Sequence, residues 1–175
     1  GTYTINVTDS NGCTKQSTPF TINASGTVTV TVNDTQAPIC YHGNNGSITF
    51  TASDGSGQYT SACATPLPSG APVCISTPFD AGSQQTINGL SARSYTLTVT
   101  DTGGCTGSAP GTITVPSSDQ ILINYTSTPI SGGNDGSITF SITNGTAPYT
   151  AQLLQGTIVL QTITDISEGD QNMFS

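Results

Sequence analysis

The chain repeats its own sequence. The segment GTYTINVTDSNGCT begins at Gly1 and returns as RSYTLTVTDTGGCT at Arg93, 92 positions later. The segment GSITF begins at Gly46 and returns at Gly136, 90 positions later. Repetition at a fixed period makes the repeat the folding unit. A chain of 175 residues therefore holds less than two periods of about 91 residues.

The repeat divides the chain into three parts. We expect the end of one repeat over 1–26, a whole immunoglobulin-like repeat over 27–117 and the start of a further repeat over 118–175. The whole repeat should fold by itself, since a domain of about 90 residues supported by disulfides is large enough for a small core. The sequence shows no initiator Met or signal-like segment, so we expect an interior piece of a longer polypeptide.

Alternation of apolar and polar residues indicates β-strands. Between Tyr95 and Thr100, Tyr, Leu and Val alternate with Thr, which places one set on a buried face and the other in water. Short strands in a unit of this length predict an all-β fold of tandem immunoglobulin-like antiparallel β-sandwiches. The predicted strands of the whole repeat are 27–33, 46–53, 58–63, 84–88, 94–101 and 105–115.

Two local motifs support this fold. Leu90 followed by Tyr95 is typical of a tyrosine corner, although a plain core aromatic is the alternative. The segments Asp101 to Cys105 and Asp9 to Cys13 predict the turn of a closing hairpin, in which glycine supplies a positive φ.

The charge balance excludes several partners. Lys15 and Arg93 are the only basic side chains against ten acidic ones, and the net charge is −8. Nucleic acid binding needs clustered Lys and Arg, so nucleic acid is excluded, and an anionic membrane surface is disfavoured for the same reason. No apolar run reaches the roughly 20 residues of a spanning helix, so we expect no membrane insertion.

Catalytic and metal motifs are sparse. His42 is the single histidine, and no G-x-S-x-G nucleophile motif is present, so we expect neither an enzyme nor a bound cofactor. Calcium is the one metal worth considering, because acidic secreted sandwiches bind it through carboxylates. Asp165, Glu168 and Asp170 form the candidate cluster, and a solvated acidic loop is the alternative interpretation.

The cysteines indicate an oxidising, extracellular environment, because disulfides persist there. The whole repeat contains Cys40, Cys63, Cys74 and Cys105, and four cysteines allow three pairings that the sequence does not distinguish. Our hypothesis is that Cys40 pairs with Cys105 and Cys63 with Cys74, which leaves Cys13 for a partner in a preceding repeat. A Cys13–Cys40 bridge between neighbouring repeats is the alternative.

A second alignment predicts an insertion in the whole repeat. The segment TINGLS at 86–91 matches TITDIS at 162–167, only 76 positions later, so the whole repeat would carry about 15 extra residues around Cys63 and Cys74. Loops on a rigid scaffold are common binding sites, although a loop without any partner is the alternative. The candidate binding residues are Thr65, Pro66, Leu67, Pro68 and Pro72.

Taken together, these motifs resemble the SprB-type repeat of large cell-surface adhesins of gliding Bacteroidetes. The resemblance rests on CYHGNNGSI from Cys40, on Leu90-x4-Tyr95-Thr-x-Thr-Val-Thr-Asp and on the Gly-Cys-Thr that ends at Thr106. The sequence departs from the pattern at Ser131, which stands where the opening cysteine is expected, and at Arg93, which replaces the usual Gly.

The resemblance implies an extracellular, secreted cell-surface protein with a role in adhesion and an association with gliding motility. Its expected partners are adjacent repeats of the same chain, together with surface glycans or like chains. Two alternatives belong to other classes: a self-associating subunit of an extracellular filament or sheath, and a non-catalytic spacer of a secreted polysaccharide-degrading enzyme.

Overall fold

The computed structural model describes residues 2–21, 26–130, 132 and 136–175. Every regular element within these ranges is a β-strand, which confirms the all-β fold class. Ser131, the residue expected opposite Cys40, lies outside the described residues. The described part of the chain contains no helix long and apolar enough to cross a membrane.

The first part of the chain forms two small ladders. The strands are β1 Thr2–Tyr3, β2 Asn6–Thr8, β3 Thr14–Gln16 and β4 Phe20–Thr21. Strand β1 pairs with β4 and β2 pairs with β3, both antiparallel.

The whole repeat contains nine strands in two sheets. They are β5 Thr29–Gln36, β6 Gly46–Ser53, β7 Gln58–Pro66, β8 Val73–Ile75, β9 Phe79–Asp80, β10 Gln84–Leu90, β11 Arg93–Asp101, β12 Thr106–Ser108 and β13 Ile113–Val115. One sheet has the order β10-β6-β5. The other has the order β12-β11-β7-β8, with β13 beside β11 and β9 beside β7.

The structure refines the predicted strands at two places. The short strands β8 and β9 were not predicted, because three and two residues are too few to show a period. The predicted strand 105–115 is two strands, β12 and β13. Pro110 lies between them and supplies no backbone N–H, and Gly111 follows with a φ of 72°, so the ladder is interrupted there.

The third repeat has five described strands. They are β14 Leu122–Thr128, β15 Ser137–Thr143, β16 Tyr149–Gln155, β17 Ile158–Ile166 and β18 Asn172–Phe174. Strands β14, β15 and β18 form one sheet, in that order, and β16 pairs with β17 in another. The buried core of this repeat consists of Phe140, Ile142, Tyr149, Ile166 and Phe174.

The chain divides into two compact units whose limits differ from the repeat boundaries. The first unit comprises 1–34, 48–87 and 94–113, and the second comprises 35–47, 88–93 and 114–175. In the second unit, the Ser118 hydroxyl donates to the carbonyl of Pro38. The linker after β13 is therefore bonded to the loop that follows β5.

Aromatic rings connect the two sheets within the first unit. Phe50 in β6 meets Phe79 in β9 edge to face, with ring centroids 6.0 Å apart. Phe79 also packs on Tyr59 in β7 at 5.1 Å. Phe50 and Tyr59 are fully buried, as are Leu97 and Val99 of β11. The core of this unit thus lies between antiparallel sheets, which is consistent with a β-sandwich.

Gly46, which opens the GSITF strand, has no room for a side chain. A Cβ at this position would lie 2.8 Å from the Gln36 carbonyl oxygen, 2.9 Å from that of Leu90 and 2.9 Å from a methyl carbon of Val115. Two of the three neighbours are backbone atoms, which cannot rotate away. We therefore expect Gly46→Ala to lower the free energy of unfolding by about 1–3 kcal/mol.

Gly136 provides the matched control, because it opens the GSITF strand of the third repeat. A Cβ there would meet a side-chain carbon of Ile130 at 3.0 Å, and the Thr128 carbonyl oxygen at 3.5 Å. Ile130 is exposed and can move, so Gly136→Ala should cost less than Gly46→Ala. Urea unfolding of both variants, with amide hydrogen exchange at β6 and β15, measures the difference. Equal losses would contradict the steric explanation.

Candidate functional site

Both the whole repeat and the third repeat contain the same tyrosine contact. The Tyr59 hydroxyl donates to the Asp54 carbonyl at 2.9 Å, and the Tyr149 hydroxyl donates to the Asn144 carbonyl at 2.7 Å. Asp54 and Asn144 both have a positive φ, of 66° and 65°, a conformation that Asp and Asn tolerate better than most residues. This contact therefore fixes the turn after each GSITF strand.

Burial raises the pKa of both tyrosines. For Tyr59, the negative charges of Asp54 and Asp101 raise the pKa further, and for Tyr149 the charge of Glu168 does so. Both phenols consequently stay protonated at neutral pH and keep the hydrogen to donate. These contacts are structural, since a neutral phenol bonded to a turn carbonyl has no free proton-transfer role.

The structure corrects the alignment behind the predicted insertion. In the ladders, Tyr59 lies opposite Phe79 and Tyr149 lies opposite Ile166. Twenty positions separate the first pair and seventeen separate the second, so the two repeats differ by three residues here. The match of TINGLS to TITDIS was therefore wrong, as was the insertion of about 15 residues inferred from it.

Two further contacts support the corrected alignment. The Gly82 amide donates to the Ala52 carbonyl, and the Gly169 amide donates to the Ile142 carbonyl, both at 2.9 Å. Strand β10 lies beside β6, and β18 lies beside β15. The counterpart of TINGLS is thus the segment around β18, whereas TITDIS forms the end of β17.

The predicted bridge between Cys63 and Cys74 is present in the structure. The two residues lie directly opposite each other in β7 and β8, with Cα atoms 4.1 Å apart. The bridge therefore links neighbouring strands of one hairpin. In the matching hairpin of the third repeat, Gln152 lies opposite Thr162, so these two positions hold no cysteine.

The predicted bridge between Cys40 and Cys105 was wrong, because Cys40 is an exposed free cysteine. Cys40 follows β5, and its carbonyl accepts from the Gly43 amide at 2.8 Å in a local turn. Cys13 is also exposed and free in the described chain.

The candidate binding residues fall into two groups. Thr65 and Pro66 belong to β7, opposite Thr96 and Tyr95 of β11, and Pro66 is buried. The other three residues, Leu67, Pro68 and Pro72, are exposed in the loop between β7 and β8. The loop begins with a bond from the Leu67 amide to the Ser94 carbonyl at 2.9 Å. Pro66 is therefore inaccessible to a ligand, Thr65 is half-buried, and Leu67, Pro68 and Pro72 are accessible.

The acidic residues proposed for calcium do not form a ligand set. Glu168 accepts from the Asn144 amide at 2.9 Å, Asp170 accepts from the Ser167 amide at 3.3 Å, and Asp165 accepts from the Thr164 hydroxyl at 3.1 Å. In the described ranges, no three His, Cys, Asp or Glu side chains are grouped so as to hold a metal. Glu168 and Asp170 thus bind backbone amides, and Asp165 binds the hydroxyl of its neighbour.

A buried carboxylate that the sequence did not reveal organises the closing hairpin. Asp101 is 1% exposed. Its two oxygens accept from the Ser56 amide at 2.9 Å and from the Cys105 amide at 2.7 Å. Burial alone would raise the pKa of Asp101, but the backbone bonds from Cys105, Ser56 and Gly103 outweigh it and lower the pKa. The charged form is thus the one that the fold stabilises.

Replacing this carboxylate should produce a pH-dependent loss of stability. Since the pKa of Asp101 is lower in the folded chain than its ordinary value of 3.8, its contribution is complete above that value and is lost as the pH falls through the lowered pKa. We expect Asp101→Asn to lower the melting temperature by several degrees at pH 7. The difference from the unmodified chain should shrink below pH 3.8.

The control is Asp9→Asn, which removes the matching carboxylate of the exposed first hairpin. Asp9 also accepts from the Cys13 amide, at 2.8 Å, but water can replace that bond. Thermal melting of both variants from about pH 2 to about pH 8, which spans values below and well above the ordinary carboxyl pKa of about 3.9, measures the difference. A loss that is the same at every pH would contradict the electrostatic origin.

One comparison identifies part of the chain. Residues 124–158 match the family model of the SprB repeat. The match covers most of β14, all of β15 and β16 and the first residue of β17. It therefore includes the tyrosine contact of the third repeat, which the whole repeat shares. No curated protein matches the chain.

Proposed function

We propose that this chain, which carries a SprB-type repeat, is an extracellular stalk segment of a large secreted cell-surface adhesin. The observation that carries the proposal is the recurrence of one folded unit: the tyrosine contact and the Gly82 and Gly169 bonds repeat in consecutive copies. Units that recur in tandem extend a chain by a fixed increment. Surface adhesins need that property, because they must hold a binding region away from the cell.

The chemistry of the chain supports a spacer role for these repeats. The net charge of −8 and the Thr-rich strands favour solubility and resist association with anionic surfaces. The disulfide between Cys63 and Cys74 suits an oxidising exterior. Contact with glycans or with the substratum would then belong to other parts of the parent protein, and gliding would depend on that contact.

Labelling of intact cells tests the location. An antibody raised against the 175-residue chain should label cells that produce the parent protein before any permeabilisation. Labelling that appears only after permeabilisation would contradict an extracellular site.

Deletion of whole repeats from the parent gene tests the role. A shortened stalk should weaken attachment of the cells to a surface, whereas deletion of Leu67 to Pro72 alone should leave attachment unchanged. Loss of attachment with the small deletion would instead assign binding to the loop between β7 and β8.

A further inference from the structure

One segment of the whole repeat lies on the outside of the sandwich without a buried residue. This bridged segment, residues 67–78, comprises the loop after β7, the strand β8 and the loop before β9. All of its residues are described, and none of them is buried. The residues on either side, Pro66 and Phe79, are buried. The core therefore holds both ends of the bridged segment but no part of its interior.

Strand β8 is attached to its sheet by a short ladder and by the disulfide. Its three residues pair with residues 62–64 of β7, and β8 is the end strand of the order β12-β11-β7-β8. Val73 and Ile75 are half-buried, and Cys74 is exposed. A strand with few ladder bonds and little apolar burial opens easily. The covalent bond from Cys63 to Cys74 is therefore the main attachment of β8.

The third repeat holds its matching strand without a disulfide. Strand β17 has nine residues, and its ladder with β16 runs from Tyr149 to Gln155. Ile166 of β17 is buried in the core of that repeat. Gln152 and Thr162 stand at the positions of the two cysteines. A hairpin at this place therefore forms without a bridge when its ladder is long, and the bridge compensates for the short ladder of β8.

We propose that the bridge between Cys63 and Cys74 is a redox switch, which an external dithiol reductant opens. Cys74 is exposed and Cys63 is half-buried, so a thiolate of the reductant reaches Cys74 first. It bonds to the Sγ of Cys74, and Cys63 leaves as a thiolate. The second thiol of the reductant then displaces Cys74. The dithiol thus becomes a disulfide, and its two electrons and two protons pass to the two cysteines.

Reduction opens the bridged segment and leaves the sandwich folded. The fully buried side chains Phe50, Tyr59 and Leu97 belong to β6, β7 and β11, so the core between the sheets does not depend on β8. Local opening of a weakly held segment needs no global unfolding. Exposed segments without buried residues are preferred sites of proteolytic cleavage. The redox state of the surroundings therefore sets whether the folded repeat resists cleavage within residues 67–78.

Limited proteolysis of the whole chain tests the proposal. Treatment with dithiothreitol, a dithiol, should raise the rate of cleavage by subtilisin within residues 67–78 by a factor of about ten or more. The β-sheet signal in circular dichroism should remain. Cys63→Ser with Cys74→Ser should be cut at the faster rate with or without the dithiol. Cys40→Ser keeps the bridge and should respond to the dithiol as the unmodified chain does.

Amide hydrogen exchange locates the opening. Reduction should speed exchange at residues 73–75 by a factor of about ten or more and leave residues 95–99 of β11 unchanged. Residues 158–162 of β17 are the control within the same chain, because their hairpin has no bridge. Equal cleavage and exchange in the oxidised and reduced chains would overturn the proposal. Loss of the whole β-sheet signal on reduction would also overturn it, since the bridge would then support the entire fold.

Discussion

Replacing Phe50 by alanine should lower the free energy of unfolding of the whole repeat by about 3–5 kcal/mol. Phe50 is fully buried and meets Phe79 edge to face at 6.0 Å, so the substitution leaves a cavity between the sheets that neighbouring side chains fill only in part. Urea unfolding of the chain, with amide hydrogen exchange at β6 and β7, measures the loss.

The control for this substitution is Tyr41→Ala. Tyr41 is 42% exposed and stacks only on His42 among the rings of the described chain, so its removal should change stability little. A loss below about 1 kcal/mol for Phe50→Ala would mean that the core collapses onto the vacated space. The aromatic contact would then not hold the sheets together.

Removing the bridge by Cys63→Ser with Cys74→Ser should cost about 2–4 kcal/mol. The cysteines are 11 positions apart, and the bridge restricts the unfolded chain over that loop. Cys40→Ser is the matched control, because this exposed cysteine forms no bridge. A non-reducing digest should yield a Cys63–Cys74 peptide. Recovery of a Cys40–Cys105 peptide, or a loss with Cys40→Ser as large as with the double variant, would contradict the structure.

The strands could be predicted from the sequence wherever apolar and polar residues alternate over at least five positions. The segment Tyr95 to Thr100 alternates strictly, and β11 extends around it. The pairing of Cys63 with Cys74 was a hypothesis among the three pairings that four cysteines allow, and the structure contains that bridge. The two turn motifs likewise predicted a glycine with a positive φ, and Gly12 and Gly104 have this conformation in the structure.

Contacts between residues far apart in the sequence could not be predicted in the same way. The segment TITDIS resembles TINGLS letter by letter, but the ladder places Ile166 opposite Tyr149, and only pairing between strands reveals this. The sequence does not predict the burial of Asp101, because Asp is common in exposed turns. The Ser56 amide that donates to its carboxylate lies 45 positions away in the sequence. The Cys40–Cys105 hypothesis rested on the positions of the two cysteines at opposite ends of the repeat sequence, and in the structure Cys40 forms no disulfide.

The bridge between β7 and β8 has a mechanical consequence for a stretched chain. When a repeat unfolds under tension, the residues between Cys63 and Cys74 stay closed, because the covalent bond carries the load past them. A loop of that size withholds roughly 35 Å of contour length at 3.3–3.6 Å per residue. The redox state of the surroundings would therefore set how far an unfolded repeat can reach, since reduction releases that length and oxidation retains it.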